Sequence, residues 1–287
     1  MKLPDISINA EVRGIVGRAL VEDIGARDIT TEALVPASER ARAVVVAHGA
    51  CVVSGTTVAK AVFRRVDPSL EVGIPTKDGR CVLKGGKVLT VAGRAGSILS
   101  AERTALNFLQ RMSGIATLTS MFVAKVRRFG VTILDTRKTT PGLRVLEKYA
   151  VLCGGGKNHR MGLYDMVLIK DNHRRVWVKG DGRTLAAAVV AARKRFPGAT
   201  IEIEVENLSE LSSALEGSPD WILLDNMTPG RVRECVKQCR GRTRLEASGG
   251  ITLKNVERIA RAGVDAISLG CITHSAPAAN LSLEFME

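Results

Sequence analysis

Residues 200–226 read "TIEIEVENLSELSSALEGSPDWILLDN". Two short runs rich in aliphatic and β-branched residues, "TIEIEV" and "WILLD", flank a segment of helix length. The same rhythm extends outward on both sides, from residue 131 onward. Upstream lie "VTILD" and "DMVLI"; downstream lie "TRLEAS" and "DAISLG". Helix signals separate them. Thr228 and Pro229 suit the cap and first position of a helix that stops at Gly241. Thr252 is placed to cap the next, ended at Gly263, and Pro197 and Gly198 close one that begins near Thr184. Repeated strand–helix units imply a parallel sheet with right-handed crossovers. The first strand is not followed by a GxGxxG turn, so the pattern favours a β/α barrel over an open nucleotide-binding sheet.

Before residue 131 the pattern is mixed. A helix is predicted near residues 9–20, and "VAKAVFRRV" has helical spacing. "ARAVVVAHGACVVSG" reads as strand, turn and strand. "CVLKGGKVLTVAG" predicts a hairpin across Gly85 and Gly86. A long helical segment, residues 97–130, carries one predicted break near Ser113 and Gly114, which sets the expected domain boundary.

Composition narrows the function. The chain has 287 residues, a net charge of +13 and 42 Lys and Arg, so an anionic partner or substrate is plausible. Aromatic residues make up 3%, which argues against single-strand nucleic-acid binding by base stacking, and no nucleic-acid reading motif occurs. No apolar run approaches the roughly 20 residues needed to span a bilayer. The start, "MKLPDISINAEVRGI", lacks the apolar core of a signal peptide, so a cytoplasmic protein is the expectation. Six scattered cysteines need no disulfide in a reducing compartment, and Cys235 with Cys239 lacks further metal ligands at matching spacing.

The chemistry falls where the strands end. In a parallel β/α barrel the active site lies at the carboxyl ends of the strands. After "ILD" come Thr136, Arg137 and Lys138; after "DMVLI" come Lys170, Asp171 and Asn172; after "WILL" come Asp225 and Asn226. Ser248, Gly249 and Gly250 follow "RLEA", and Gly270 follows "AISL", with His274 shortly after. Turns alone call for Asp, Asn and Gly but not for clustered cations. The Ser-Gly-Gly run and Gly270 suit a phosphate held by backbone N–H groups. Glu202, Glu204 and Glu206 alternate onto one strand face, too costly to bury uncompensated. Glu204 with Asp225 is the predicted magnesium pair, directly or through water or substrate. Glu202 and Glu206 either join them or pair with basic side chains. Arg137, Lys138, His159, Arg160 and Lys170 would converge on one mouth and suit a ligand with two carboxylates. His173 is predicted to be structural. A Schiff-base lyase using Lys170 is the rival enzyme class, but it gains nothing from an acidic metal pair.

"ILDTRKTTPGLRVLEKYAVLCGGGKNHRMGLYDMVLIKDNH" closely resembles quinolinate phosphoribosyltransferase, also called nicotinate-nucleotide pyrophosphorylase (carboxylating). "VEDIGARDITTEAL", "LSAERTALNFLQRMSGIATLT", "ILLDNM", "LEASGGI" and "ISLGCITHS" match it in the same order, so the resemblance covers nearly the whole chain. It implies an amino-terminal α/β sandwich domain, residues 1–113, with residues 275–287 packing back on it. An incomplete β/α barrel, residues 114–274, follows. It implies transfer of phosphoribosyl from phosphoribosyl pyrophosphate to quinolinate with loss of carbon dioxide, in NAD biosynthesis. It also implies Mg2+ and a homodimer, assembly beyond the dimer being left open, in which Arg103 reaches the neighbouring site. The family's quinolinate positions fall on Arg103, Arg137, His159, Arg160 and Lys170, with Thr136 and Lys138 beside them. Its phosphoribosyl pyrophosphate and metal positions fall on Lys138, Glu204, Asp225, Ser248, Gly249, Gly250 and Gly270, with His274 a further phosphate contact. Lys138, Glu204 and Asp225 are the expected catalytic groups. Leu152 and Arg27 depart from residues frequent in the family, away from all these positions.

Overall fold

The computed structural model describes residues 6, 8–178 and 183–286. The first five positions, residue 7 and Glu287, which fall within the predicted sandwich segments, lie outside them. By proximity the chain forms two compact units. The first comprises Met1–Ser120, Lys138–Gly156 and Cys271–Glu287, and the second Met121–Arg137 and Lys157–Gly270.

The first unit contains the strands β1 (Arg40–Ala47), β2 (Cys51–Val52), β3 (Glu71–Gly73), β4 (Cys81–Val82) and β5 (Lys87–Arg94). β1 lies between β5 and a closing strand, Leu281–Met286, both antiparallel to it, and β3 pairs the far side of β5. The burial of Ala43–Ala47 on β1 and of Val88, Leu89 and Val91 on β5 makes this sheet one wall of the unit's core. The hairpin predicted across Gly85 and Gly86 does not form. β4 pairs with β2 while β5 joins the other sheet, and Gly85 and Gly86 bond to Ala47 instead.

The break predicted near Ser113 and Gly114 is also absent, because Ala95–Val126 is one continuous helix of 32 residues. Both residues serve packing. A Cβ at Gly114 would lie 2.0 Å from the Pro277 carbonyl oxygen, so only glycine admits the returning chain there. Ser113 Oγ accepts the Ser54 N–H at 3.0 Å and leaves the helix intact. Among the described residues no helix is long and apolar enough to cross a membrane.

The second unit holds β6 (Thr132–Leu134), β7 (Val167–Ile169), β8 (Ile201–Val205), β9 (Trp221–Asp225), β10 (Arg244–Ser248) and β11 (Ala266–Ser268). They form one sheet in the order β6-β11-β10-β9-β8-β7. Every pairing in it is parallel, as the strand–helix rhythm requires. Lys157 adds a parallel bridge to Leu134, on the free side of β6. Helix caps fall largely where the sequence puts them: the Thr184 and Thr228 hydroxyls accept the N–H groups of Ala187 and Arg231. Thr252 differs. Its oxygen lies in a turn, and the following helix starts at Val256.

Candidate active site

Strand register sorts the side chains. Partners across a parallel sheet face the same way, and successive residues alternate. Glu202 is opposite Trp221, Trp221 opposite Arg244, and Leu223 opposite Glu246. Asp225 is opposite Ser248, and Glu246 is opposite Ala266. Lys170 follows Leu168, which is opposite Glu202, by two residues. One face of the sheet therefore carries Lys170, Glu204, Asp225 and Ser248 towards its carboxyl edge, and Glu202 and Glu246 deeper. Lys157 bridges Leu134, so His159 shares that face.

At the carboxyl edge, burial raises the pKa of Glu204 and repulsion from Asp225 raises it further. Lys170 and the Asp171 N–H, which donates to Glu204 Oε1 at 3.4 Å, oppose this. A carboxylate whose ionisation is opposed by a second one beside it belongs to a fitting donor set for a hard divalent cation. Asp225 Oδ2 accepts from Asn226 Nδ2 at 2.7 Å. Asn226 holds a left-handed φ of 52°, and its N–H donates to the Ser248 carbonyl at 2.9 Å. Gly249 has φ +88°, and a Cβ there would come within 2.2 Å of Asn226 Oδ1. Glycine is thus required both for the conformation and for the approach. Gly250 also holds a positive φ, 59°, and opens onto free space. The Ser268 hydroxyl donates to Ser248 Oγ at 3.0 Å.

The three acids of β8 part company. Glu204 faces Asp225. Glu206 lies beyond the strand and pairs with Arg174 at 3.5 Å. Arg174 also donates to the Glu204 carbonyl at 2.7 Å, which anchors the end of β8. Glu202 turns to His159, whose Nε2 lies 2.9 Å from Glu202 Oε2 and 3.5 Å from Glu246 Oε2. Both glutamates are 1% exposed. His159 Nδ1 accepts the Arg160 N–H at 2.8 Å, which leaves the ring proton on Nε2. The His159 N–H donates to Asp135 Oδ1 at 2.9 Å.

Burial disfavours the imidazolium, but the bonds to Glu202 and Glu246 outweigh it and raise its pKa. Burial, then Glu246, also raises the pKa of Glu202. With Nδ1 an acceptor, the extra proton belongs to the histidine–carboxylate group rather than to one residue. These three donors lie within 4.8 Å of one another and are a second set able to hold a cation. A cavity of about 460 Å³ reaches them from the amino ends of the strands, past Thr132, Thr200, Trp221 and Arg244.

Arg160 is 8% exposed and donates to the Met166 carbonyl at 3.2 Å. Burial and then Arg137 lower its pKa, so the two guanidinium groups are close enough to repel. That pairing suits an anion. Thr136 and Gly270 follow β6 and β11 on the same edge. His173 Nδ1 accepts the Lys170 N–H at 3.0 Å and caps the helix Asp171–Trp177, a structural role.

Arg103, Lys138 and His274 belong to the first unit, and all three are exposed. The Lys138 carbonyl accepts the Thr273 hydroxyl at 2.8 Å. Arg111 holds both flanking segments, donating to Glu147 Oε1 at 2.8 Å and to the carbonyls of Thr273 and Ala276. Sequence reasoning missed Arg111, Glu147, Arg174 and Glu246. For Glu246 the signal was present, since it lies two residues before Ser248 on the same strand.

The model of the quinolinate phosphoribosyl transferase C-terminal domain matches residues 115–284, and that of its N-terminal domain matches residues 28–113. The chain belongs to the quinolinate phosphoribosyltransferase family. It is 40% identical over 290 residues to quinolinate phosphoribosyltransferase [decarboxylating] 1b of Nicotiana tabacum, covering 96% of this chain and 82% of that one. It is 38% identical to the probable nicotinate-nucleotide pyrophosphorylase [carboxylating] of Bacillus subtilis (strain 168), covering 96% and 93%. Among solved structures, the Francisella tularensis nicotinate-nucleotide pyrophosphorylase superposes with a TM-score of 0.92 at 36% identity, covering 100% of this chain and 99% of that one. A quinolinate phosphoribosyltransferase must hold one dicarboxylate and one polyphosphate, and the second unit offers paired guanidinium groups and paired carboxylates.

Proposed function

We propose that the carboxyl edge of the parallel sheet is where this chain transfers phosphoribosyl from phosphoribosyl pyrophosphate to quinolinate. The products are nicotinate mononucleotide, pyrophosphate and carbon dioxide. The observation that carries the assignment is the presence of two like-charge pairs, one basic and one acidic, in the second unit. Arg137 and Arg160 lie close enough to repel, and Glu204 and Asp225 do the same, within one small unit. Each pair is stabilised by a ligand of opposite sign.

Arg137, Arg160 and Lys170 bind the two carboxylates of quinolinate, beside Thr136. Ser248, Gly249, Gly250 and Gly270 take phosphate through small side chains and backbone N–H groups, with Lys138 and His274 as further phosphate contacts. Glu204 and Asp225 hold Mg2+, directly or through water or substrate oxygens. When bound, the ion spreads the charge of the leaving pyrophosphate. The oxygen-only pair at the edge suits magnesium better than the buried histidine-containing group.

The protein's own work is placement and charge balance. The pyridine nitrogen bonds to the ribose carbon as the bond to pyrophosphate breaks. Glu204 or Asp225 steadies positive charge developing on the ribose. The ring nitrogen is then quaternary and accepts electrons. The bond to the adjacent carboxylate breaks, its electron pair stays on the ring carbon, carbon dioxide leaves and a proton takes its place.

The proposed assembly is a homodimer. Arg103 is an exposed cation on the helix Ala95–Val126, and in that dimer it serves the neighbouring subunit's site. A cytoplasmic location agrees with the lack of any membrane-crossing helix among the described residues. Incubating the purified chain with quinolinate, phosphoribosyl pyrophosphate and Mg2+ yields nicotinate mononucleotide. Absence of product under saturating substrates overturns the assignment.

A further inference from the structure

Lys138 and His274, the two side chains assigned to phosphate from the first unit, stand on stretches with little structure of their own. Residues 138–143 belong to no strand or helix, and His274 ends a single turn, Cys271–His274. No strand ladder sets either backbone, so other bonds must.

One ion pair supplies them. Arg111, on the helix Ala95–Val126, donates through Nε and Nη2 to Glu147 Oε1 at 3.1 and 2.8 Å. Its Nη1 donates to the Ala276 carbonyl at 3.1 Å, and Nη2 donates also to the Thr273 carbonyl. Glu147, from the helix Arg144–Cys153, is 1% exposed. Its Oε2 accepts the Thr140 N–H at 3.1 Å and its Oε1 the Thr140 hydroxyl at 2.8 Å. The buried Thr273 hydroxyl donates to the Lys138 carbonyl at 2.8 Å. A closed circuit thus runs from Arg111 through Glu147, Thr140, Lys138 and Thr273 and back to Arg111, all within the first unit.

A buried ion pair adds little net stability over apolar residues of the same volume. What it does add is direction, because the guanidinium is a planar fork with fixed donors and the carboxylate only accepts. Here every acceptor of the fork lies either on Glu147 or on the backbone beside His274. Both carboxylate oxygens in turn hold Thr140, two residues after Lys138.

We propose that Arg111 and Glu147 are positioning residues for the leaving group's site: they lock the Lys138 stretch to the His274 turn in the one arrangement that phosphoribosyl pyrophosphate requires. The inference rests on the reading of Lys138 and His274 as phosphate contacts.

Glu147→Gln tests it. The amide keeps the shape but must turn an NH2 donor towards the guanidinium or the Thr140 N–H. The expected result is a rise of at least fivefold in the phosphoribosyl pyrophosphate KM, while the quinolinate KM stays within twofold. Asp67→Asn, which removes the ion pair to Arg94 in the same unit, is the control for lost stability and should leave both KM values within twofold. Thr273→Val deletes only the hydroxyl that closes the circuit on Lys138, and should raise the phosphoribosyl pyrophosphate KM at least threefold. It carries the test should Glu147→Gln fold poorly. An equal shift in both KM values, a rise no larger than that of Asp67→Asn, or an unchanged KM in Thr273→Val each overturns the proposal. Wild-type protein that makes no nicotinate mononucleotide sinks instead the functional reading beneath it.

Discussion

Replacing Arg160 with alanine removes one of two guanidinium groups that repel each other when no anion is bound. In the wild type, burial and Arg137 already depress the Arg160 pKa, so the empty socket is electrostatically unfavourable. A bound carboxylate relieves that repulsion and adds charge-assisted hydrogen bonds. Each such bond contributes roughly 1.5–3 kcal/mol. Losing one corresponds to a drop of about 10- to 150-fold in quinolinate kcat/KM. The fall should lie mostly in quinolinate KM if Arg160 holds ground state and transition state alike. Steady-state kinetics at saturating phosphoribosyl pyrophosphate, with product quantified chromatographically, measures it. Arg160→Lys keeps the charge but loses the planar fork, and should recover only part of the loss. If Arg160→Ala leaves kcat/KM for quinolinate within threefold of wild type, the two-guanidinium socket is wrong.

Glu204→Gln and Asp225→Asn should each lower kcat and raise the Mg2+ half-saturation, with quinolinate binding by fluorescence quenching or calorimetry little changed; unchanged magnesium dependence would move the ion elsewhere. Gly249→Ala places a Cβ 2.2 Å from Asn226 Oδ1 at φ +88°. The conformation alone costs about 1–2 kcal/mol, so a lower thermal midpoint and a higher phosphoribosyl pyrophosphate KM are expected. Mixing Arg103→Ala with Glu204→Gln, each impaired alone, should raise activity above either through hybrid dimers, and no recovery would deny Arg103 its role across the interface. Asp67, buried and bonded to Arg94 and Ser69, has its pKa lowered well below the ordinary carboxylate range. A depressed folded pKa gives stability that is present above the unfolded value, about 4, and is lost as pH falls through the folded one. Asp67→Asn should therefore flatten the dependence of the thermal midpoint on pH below about 4, and an unaltered slope would contradict it.

The parallel sheet was legible because its signal is periodic. "TIEIEV" and "WILLD" mark β8 and β9, and the parity of β8 already put Glu202 and Glu204 on one face. What parity could not say is where that face ends. Glu206 follows the last residue of β8 and turns to Arg174, a partner 32 residues earlier in the chain. Glu202 meets His159 from a segment 43 residues away. Such pairings are set by the closing of the sheet and leave no local trace. The glycines misled for a related reason. Gly114 serves the approach of Pro277, and Gly85 and Gly86 do make a turn, closed by the Gly86 N–H on the Leu83 carbonyl, but the strands on its two sides pair with different partners. Within the sandwich segments, short strands such as Cys51–Val52 and Cys81–Val82 find partners that spacing alone does not name. Arg137 and Lys170 follow the ends of β6 and β7, a placement along the chain that strand spacing alone gives.

The order of events is the most direct test of the whole account, because the carboxylate can leave only after the ring nitrogen has become quaternary. Quinolinate labelled in the carboxylate next to the ring nitrogen should release one labelled carbon dioxide per nicotinate mononucleotide formed, and none when phosphoribosyl pyrophosphate is withheld. Label released without phosphoribosyl pyrophosphate, or mononucleotide formed with the label retained, would contradict it.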